Sequence, residues 1–98
     1  MSIDFDIELQ HFLAEPSRAQ QILTATASAL RSEDPLQPLT LDVLNDYVYG
    51  ATLVLTEGLP DVVADEVKQA AARVLPSIHP GETADAYALR VLAAARGI

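Results

Sequence analysis

The stretch SRAQQILTATASALR, residues 17–31, decides the fold of this chain. Its apolar side chains recur at intervals of three and four residues, which is the period of one face of an α-helix. That face holds Ala19, Ile22, Leu23, Thr26, Ala27 and Leu30. Polar residues occupy the opposite side, so the stretch predicts an amphipathic helix whose apolar face is buried.

The same period recurs in three later stretches and predicts helices over residues 41–57, 61–75 and 83–96. Thr40 is the expected N-cap of the first of these, and Gly58 and Gly97 are expected at the C-terminal ends of the first and last. Two prolines between residues 32 and 39 predict a loop.

Each of these three helices has a predicted inward stripe. In the first it comprises Leu44, Tyr47, Val48, Ala51, Val54 and Leu55. In the second it comprises Val63, Val67, Ala70, Ala71 and Val74. In the last it comprises Ala84, Tyr87, Ala88, Val91, Leu92 and Ala95. Tyr49 falls off its stripe, and the sequence leaves open whether it is an exposed interface anchor or half-buried against the 17–31 helix.

The first fifteen residues fit two structures. Apolar residues from Ile3 to Leu9 alternate with polar ones, as in a strand, but Phe5, Leu9, Phe12 and Leu13 also share one helical face. A lone strand would leave its backbone groups without partners, so a helix over residues 4–14 is favoured and an extended arm is the alternative. The sequence therefore predicts an all-α, compact bundle of about five short helices in a single domain, residues 1–98.

Charge is distributed unevenly along the chain. Fourteen acids and six bases give a net charge of −8. Residues 1–67 hold twelve of the acids and two bases, which gives −10, whereas residues 68–98 hold two acids and four bases, which gives +2. Because phosphates would be repelled by the first region, direct nucleic-acid binding is excluded. The acidic region is expected either to attract a basic partner protein or only to confer solubility.

Few motifs indicate chemistry. Glu8 and His11 have the Glu-x-x-His spacing of carboxylate metal sites in helical bundles, but a second copy of the motif would have to come from a dimer. His79 lies in a predicted turn, where Glu82 or Asp85 would be needed to orient it as a base. The four scattered glycines form no phosphate-binding loop, and the chain has no cysteine. No cofactor is therefore predicted.

The sequence predicts a small, non-catalytic module that binds a protein with a basic surface, as an adaptor, an immunity-type inhibitor or an assembly subunit. The expected partner-binding residues are Asp42, Asp46, Tyr49, Asp61, Asp65 and Glu66. The alternatives are a nucleic-acid mimic that occupies a basic groove and a metal-binding dimeric enzyme using Glu8 and His11. A homodimer stays open. A cytoplasmic location is expected, because no apolar run reaches about 20 residues and the N-terminus lacks a secretory signal pattern.

Overall fold

The structure, a computed structural model, describes residues 17–97 as an all-α bundle, as predicted. Its helices are α1 (Arg18–Glu33), α2 (Leu41–Leu55), α3 (Asp61–Val74) and α4 (Ala84–Ala95). Each boundary lies within two residues of the predicted one, a difference of the size that fraying at helix ends produces. The predicted 4–14 helix and its extended alternative lie outside the described residues.

Side-chain caps explain where three of the helices begin. The hydroxyl oxygens of Ser17, Thr40 and Thr83 accept hydrogen bonds from the backbone N–H three residues later, at 3.0, 3.3 and 3.2 Å. Each cap satisfies a donor that the first helical turn leaves without a partner. α3 instead begins after Pro60 and has Asp61 in its first turn, where the helix dipole favours a negative charge.

α1 is the helix on which the bundle is built. All six residues of its predicted apolar face are buried. α1 packs against each of the other helices and most extensively against α4. Ile22, Leu23 and Leu30 supply its largest apolar side chains, and buried Thr26 donates its hydroxyl to the Ile22 carbonyl at 2.8 Å. The prediction for this face is therefore confirmed residue by residue.

Polar side chains fix α1 to its neighbours at both ends. The Gln20 Nε2 donates to the carbonyl of Ala95 at 2.9 Å, and an Arg18 guanidinium nitrogen donates to that of Leu55 at 3.4 Å. Both acceptors are unpaired carbonyls in the last turn of a helix. At the other end of α1, the Arg31 Nε lies 3.0 Å from an Asp85 carboxylate oxygen. α2 and α4 therefore run antiparallel to α1.

The proline-containing loop after α1 caps α4. The carbonyls of Pro35 and Gln37 accept hydrogen bonds from the backbone N–H groups of Asp85 and Ala84, at 2.8 and 3.0 Å. These donors belong to the first turn of α4 and would otherwise lack partners. The loop predicted over residues 32–39 thus has a defined structural role.

Two predicted inward residues are exposed. Val54 is 70% exposed because α2 packs through the side that carries Leu44 and Thr52, and Val54 lies about 100° round from Leu55. Thr52 is buried instead, with its hydroxyl satisfied by the Val48 carbonyl at 2.7 Å. Val63 is 40% exposed because α3 packs through its C-terminal half, around buried Ala71.

The C-terminal ends of α2 and α4 also differ slightly from prediction. α2 ends at Leu55 with Thr56 as its C-cap, and Gly58 lies in the following turn with φ of +81°. A left-handed φ of this kind favours glycine, so the residue is needed two positions beyond the cap. α4 ends at Ala95, and the C-cap is Arg96 rather than Gly97.

Tyr87 of α4 fastens the segment that connects α3 to α4. Its ring is fully buried, as predicted, and its hydroxyl donates to the Pro76 carbonyl at 2.7 Å. Burial, helped by the nearby Glu82 charge and opposed by that of Arg90, raises the pKa of Tyr87 to about 12. The hydroxyl therefore stays protonated and keeps its donor role at physiological pH.

Glu82 and Arg90 form a second tie to the same segment. The two side chains approach to 2.7 Å, and Glu82 also accepts the backbone N–H of His79 at 3.0 Å. Burial raises the pKa of Glu82, but the hydrogen bonds from His79 and Arg90 and the Arg90 charge outweigh it and hold the pKa below 4.5.

Tyr87→Phe is expected to lower the free energy of unfolding by about 1 kcal/mol, because the Pro76 carbonyl loses its donor. Urea denaturation measures the change. Tyr49→Phe is the matched control, since Tyr49 is exposed and its loss of a hydroxyl should leave stability unchanged. Equal destabilisation by both variants would contradict the assigned role of the Tyr87 hydroxyl.

Glu82→Gln is expected to cost most stability at neutral pH and progressively less in acid. A carboxylate whose pKa is lowered by folding stabilises the protein above its ordinary pKa of 4.5, and that stabilisation disappears as the pH falls through the lower folded value. Unfolding measured from about pH 7 to pH 3 tests this. Glu66→Gln, at an exposed position, serves as control, and a pH-independent effect of Glu82→Gln would refute the linkage.

Candidate protein-interaction surface

The predicted partner-binding residues are all exposed, and they lie on two helices. Asp42, Asp46 and Tyr49 belong to α2, whereas Asp61, Asp65 and Glu66 belong to α3. Tyr49 is 62% exposed, which decides between the two predicted placements in favour of the exposed one. The residues therefore form two separate groups, one on α2 and one on α3, and the two groups have different surroundings.

The residues on α2 share one outward side with two aliphatic side chains. Spacings of four, three and four residues lead from Asp42 through Asp46 and Tyr49 to Leu53, which places them on one helical face. Leu53 is 54% exposed, and Val54 lies at the edge of the same side. The α2 face is defined here as Asp42, Asp46, Tyr49, Gly50, Leu53 and Val54.

Charge and apolar character are separated along the α2 face. Its N-terminal half carries Asp42 and Asp46, and its C-terminal half carries the ring of Tyr49 with Leu53 and Val54. The span from Asp42 to Leu53 is about 16 Å at 1.5 Å per residue. Single exposed apolar residues are ordinary, but three neighbouring large ones beside two carboxylates have the composition of an interface.

Gly50 lies in the middle of the α2 face and has no packing role in the bundle. A Cβ built at this position would meet no atom within 4 Å, and its φ is not in the left-handed region. Glycine in a helix interior costs about 1 kcal/mol relative to alanine. The bundle therefore gains nothing from this residue.

The acids of the two helices have different surroundings. α3 places Lys68 three residues after Asp65 and has Arg73 in its last turn, so bases accompany its three acids. α2 contains two acids and no base. Val62 and Val63 of α3 are also exposed, but no exposed aromatic side chain accompanies them as Tyr49 accompanies Leu53 and Val54 on α2. The α2 face is thus the stronger candidate for a basic partner.

Ion pairing preserves the charge division read from the sequence. Within residues 17–97 the two ion pairs join Arg31 to Asp85 and Arg90 to Glu82, so both acids of the C-terminal region are neutralised. None of the eight acids between residues 33 and 66 forms an ion pair with another described residue, and all eight are exposed. Their negative charge is consequently available to a partner.

The two acids closest in sequence to His79, Glu82 and Asp85, are the ones that form these ion pairs. Glu82 accepts hydrogen bonds from the His79 backbone and from Arg90, and Asp85 accepts one from Arg31. Both carboxylates are therefore engaged elsewhere, and neither is hydrogen-bonded to the His79 imidazole. The sequence did not indicate these two arginine contacts.

The metal hypothesis rests on residues that the structure does not describe. Glu8 and His11 lie outside the described range. Across residues 17–97, no three His, Asp or Glu side chains lie close enough to bind one metal ion.

An open groove of about 650 Å³ lies beside α1 and α4 and was not predicted. Its lining includes Thr24, Ser28, Arg31, Leu36 and Asp85. The two charged side chains pair with each other, and the Thr24 hydroxyl donates within α1 to a carbonyl at 2.9 Å. Small-molecule sites direct free polar groups at a ligand, and this groove has its charged groups already neutralised.

Comparison with protein-family models, curated proteins and solved structures gave no significant match. Among residues 17–97, no helix combines the length and the apolar character needed to cross a lipid bilayer.

Leu53→Gln is expected to change the free energy of unfolding by less than about 0.5 kcal/mol, because the exposed side chain contributes little to the core. Leu44→Ala, at a buried position of the same helix, is expected to cost about 2–5 kcal/mol. Chemical denaturation of the two variants measures the contrast. A large loss for Leu53→Gln would show that the α2 face serves stability.

Proposed function

We propose that this protein is a non-catalytic interaction module that binds a partner protein with a basic surface through the α2 face. The observation that carries the proposal is the exposure of Tyr49, Leu53 and Val54 beside two carboxylates without ion-pair partners among residues 17–97. An adaptor, an inhibitor of another protein or an assembly subunit would each use such a face.

The two halves of the α2 face suit two parts of a binding reaction. Tyrosine and aliphatic side chains supply most of the affinity at protein interfaces when they become buried. Asp42 and Asp46 would steer a basic partner toward the face and fix its orientation, an effect that weakens as salt is added. Binding is therefore expected to slow at high ionic strength while the apolar contacts persist.

The composition of the α2 face favours an ordinary protein–protein interface over mimicry of a nucleic acid in the basic groove of a nucleic-acid-binding protein. A nucleic-acid mimic needs carboxylates placed in a row like phosphates. α2 supplies two, and the next outward positions are occupied by Tyr49 and Leu53, which resemble no phosphate. Nucleic-acid mimicry is therefore treated as an alternative result of the experiment below.

Photo-crosslinking in the native host tests the proposal. A photoreactive phenylalanine analogue in place of Asn45, an exposed residue beside Asp46, is expected to form a covalent adduct with one protein. The double variant D42K/D46K is expected to reduce the adduct by about tenfold or more, because its lysines repel a basic surface. The adduct is quantified from denaturing gels.

The double variant E33K/D34K provides the matched control. It changes the net charge by the same amount at two exposed acids outside the α2 face, and it is expected to retain the adduct. If both double variants lose the adduct equally, net charge alone explains the loss, and the proposal is refuted. Displacement of the captured protein by added DNA or RNA would instead indicate the nucleic-acid mimic.

A further inference from the structure

Gly50 is the residue of the α2 face that the bundle does not explain. It is exposed in the middle of a helix, its backbone is not left-handed, and space is open around its Cβ position. Glycine is among the most destabilising residues for a helix interior. What glycine offers in return is close approach of another backbone, and here the only direction of approach is from outside the bundle.

We propose that the α2 face binds a basic amphipathic helix of a partner protein, which crosses α2 at Gly50. This rests on the proposed function and adds to it the structure of the partner element. Its apolar side chains would cover Tyr49 and Leu53, and its Lys or Arg side chains would pair with Asp42 and Asp46. A second helix is the natural occupant, because ridges of one helix pack into the grooves of another, and a missing side chain deepens the groove.

The spacing on α2 defines what the partner helix must carry. Asp42 and Asp46 are one turn apart, and Leu53 is about two turns beyond Asp46. A helix lying along this face would present two basic residues one turn apart and, about two turns away, an apolar residue on the same side. Such a pattern describes a basic amphipathic helix with its charge at one end of its contact face.

Charge decides against the α2 face of a second copy as the occupant. Two α2 faces in contact would bring the carboxylates of Asp42, Asp46 and exposed Glu57 of both copies into one interface, with no base on either helix to compensate. Like charges enclosed between copies oppose association. A basic helix instead removes the repulsion and buries the same apolar side chains.

The test uses the full chain and stapled helical peptides of about five turns. The probe peptide carries two arginines one turn apart and a leucine two turns further on, and it is made in both sequence directions. A control peptide replaces the arginines with glutamates. Fluorescence anisotropy gives Kd, and amide chemical shifts of the labelled protein locate the binding site. One arginine peptide is expected to bind and shift α2 resonances, and the glutamate peptide is not.

Gly50→Ala tests whether Gly50 is required for binding or is an exposed glycine without a role in it. The variant is expected to melt about 4–8 °C higher, because alanine stabilises the helix, and to bind the arginine peptide at least about tenfold more weakly, because its methyl group blocks close approach. Ser28→Ala is the control, since it improves an exposed position of α1 and should leave Kd unchanged. D42K/D46K should also weaken binding.

Each contrary result has a distinct meaning. If the peptide shifts α2 resonances but Gly50→Ala binds equally well, the close helix crossing is refuted and the proposed function stands. If neither direction of the arginine peptide binds, or if sedimentation shows the chain dimerising through α2, the helical partner is refuted. The proposed function itself fails if the crosslink beside Asp46 is insensitive to D42K/D46K, or if E33K/D34K reduces it equally.

Discussion

The seam between α1 and α4 is the contact on which the rest of the bundle depends. Alanines on both helices let the backbones come close, and larger side chains such as Ile22, Leu23 and Tyr87 fill the remaining space. Polar contacts close the seam at its two ends, through Gln20 at one and the Arg31–Asp85 pair at the other. Because this contact uses most of the buried residues, α2 and α3 are held against α1 by one side each.

That asymmetry of burial leaves apolar side chains of α2 exposed. α2 has only Leu44 and Thr52 among its buried residues, although its sequence is rich in apolar side chains. The apolar side chains left over are directed outward, on the side opposite α1. Four helices of this length cannot all be surrounded in so small a domain, and the surplus on α2 becomes the α2 face.

The sequence predicted the buried faces of α1 and α4 well and those of α2 and α3 less well, for a physical reason. α1 has polar residues opposite its apolar face, so periodicity identifies its buried side without ambiguity. In α4 the predicted stripe is also the side that packs, although Leu89 outside it is exposed. α2 is apolar on more than one side, and periodicity cannot tell which side meets the core, as Val54 and Thr52 show. The acids of the α2 face were predicted correctly as exposed. In its apolar half, Tyr49 was left open between two placements, Val54 was predicted to face inward, and Leu53 was assigned to no face. Arg90 could not be paired with Glu82 in advance, because such contacts depend on how α4 meets the loop before it.

Solubility alone accounts for exposed acids, but it does not account for where these acids lie. An exposed cluster of Tyr49, Leu53 and Val54 lowers solubility and invites contact between copies. Asp42 and Asp46, placed next to that cluster and unpaired among the described residues, would repel a second copy by the same Coulomb interaction that attracts a basic partner. In the proposed interaction the two carboxylates thus have two effects. They oppose association between copies of the free protein, and they select the partner that covers its apolar side chains. The position of the charge, more than its total of −8, then determines what the surface binds.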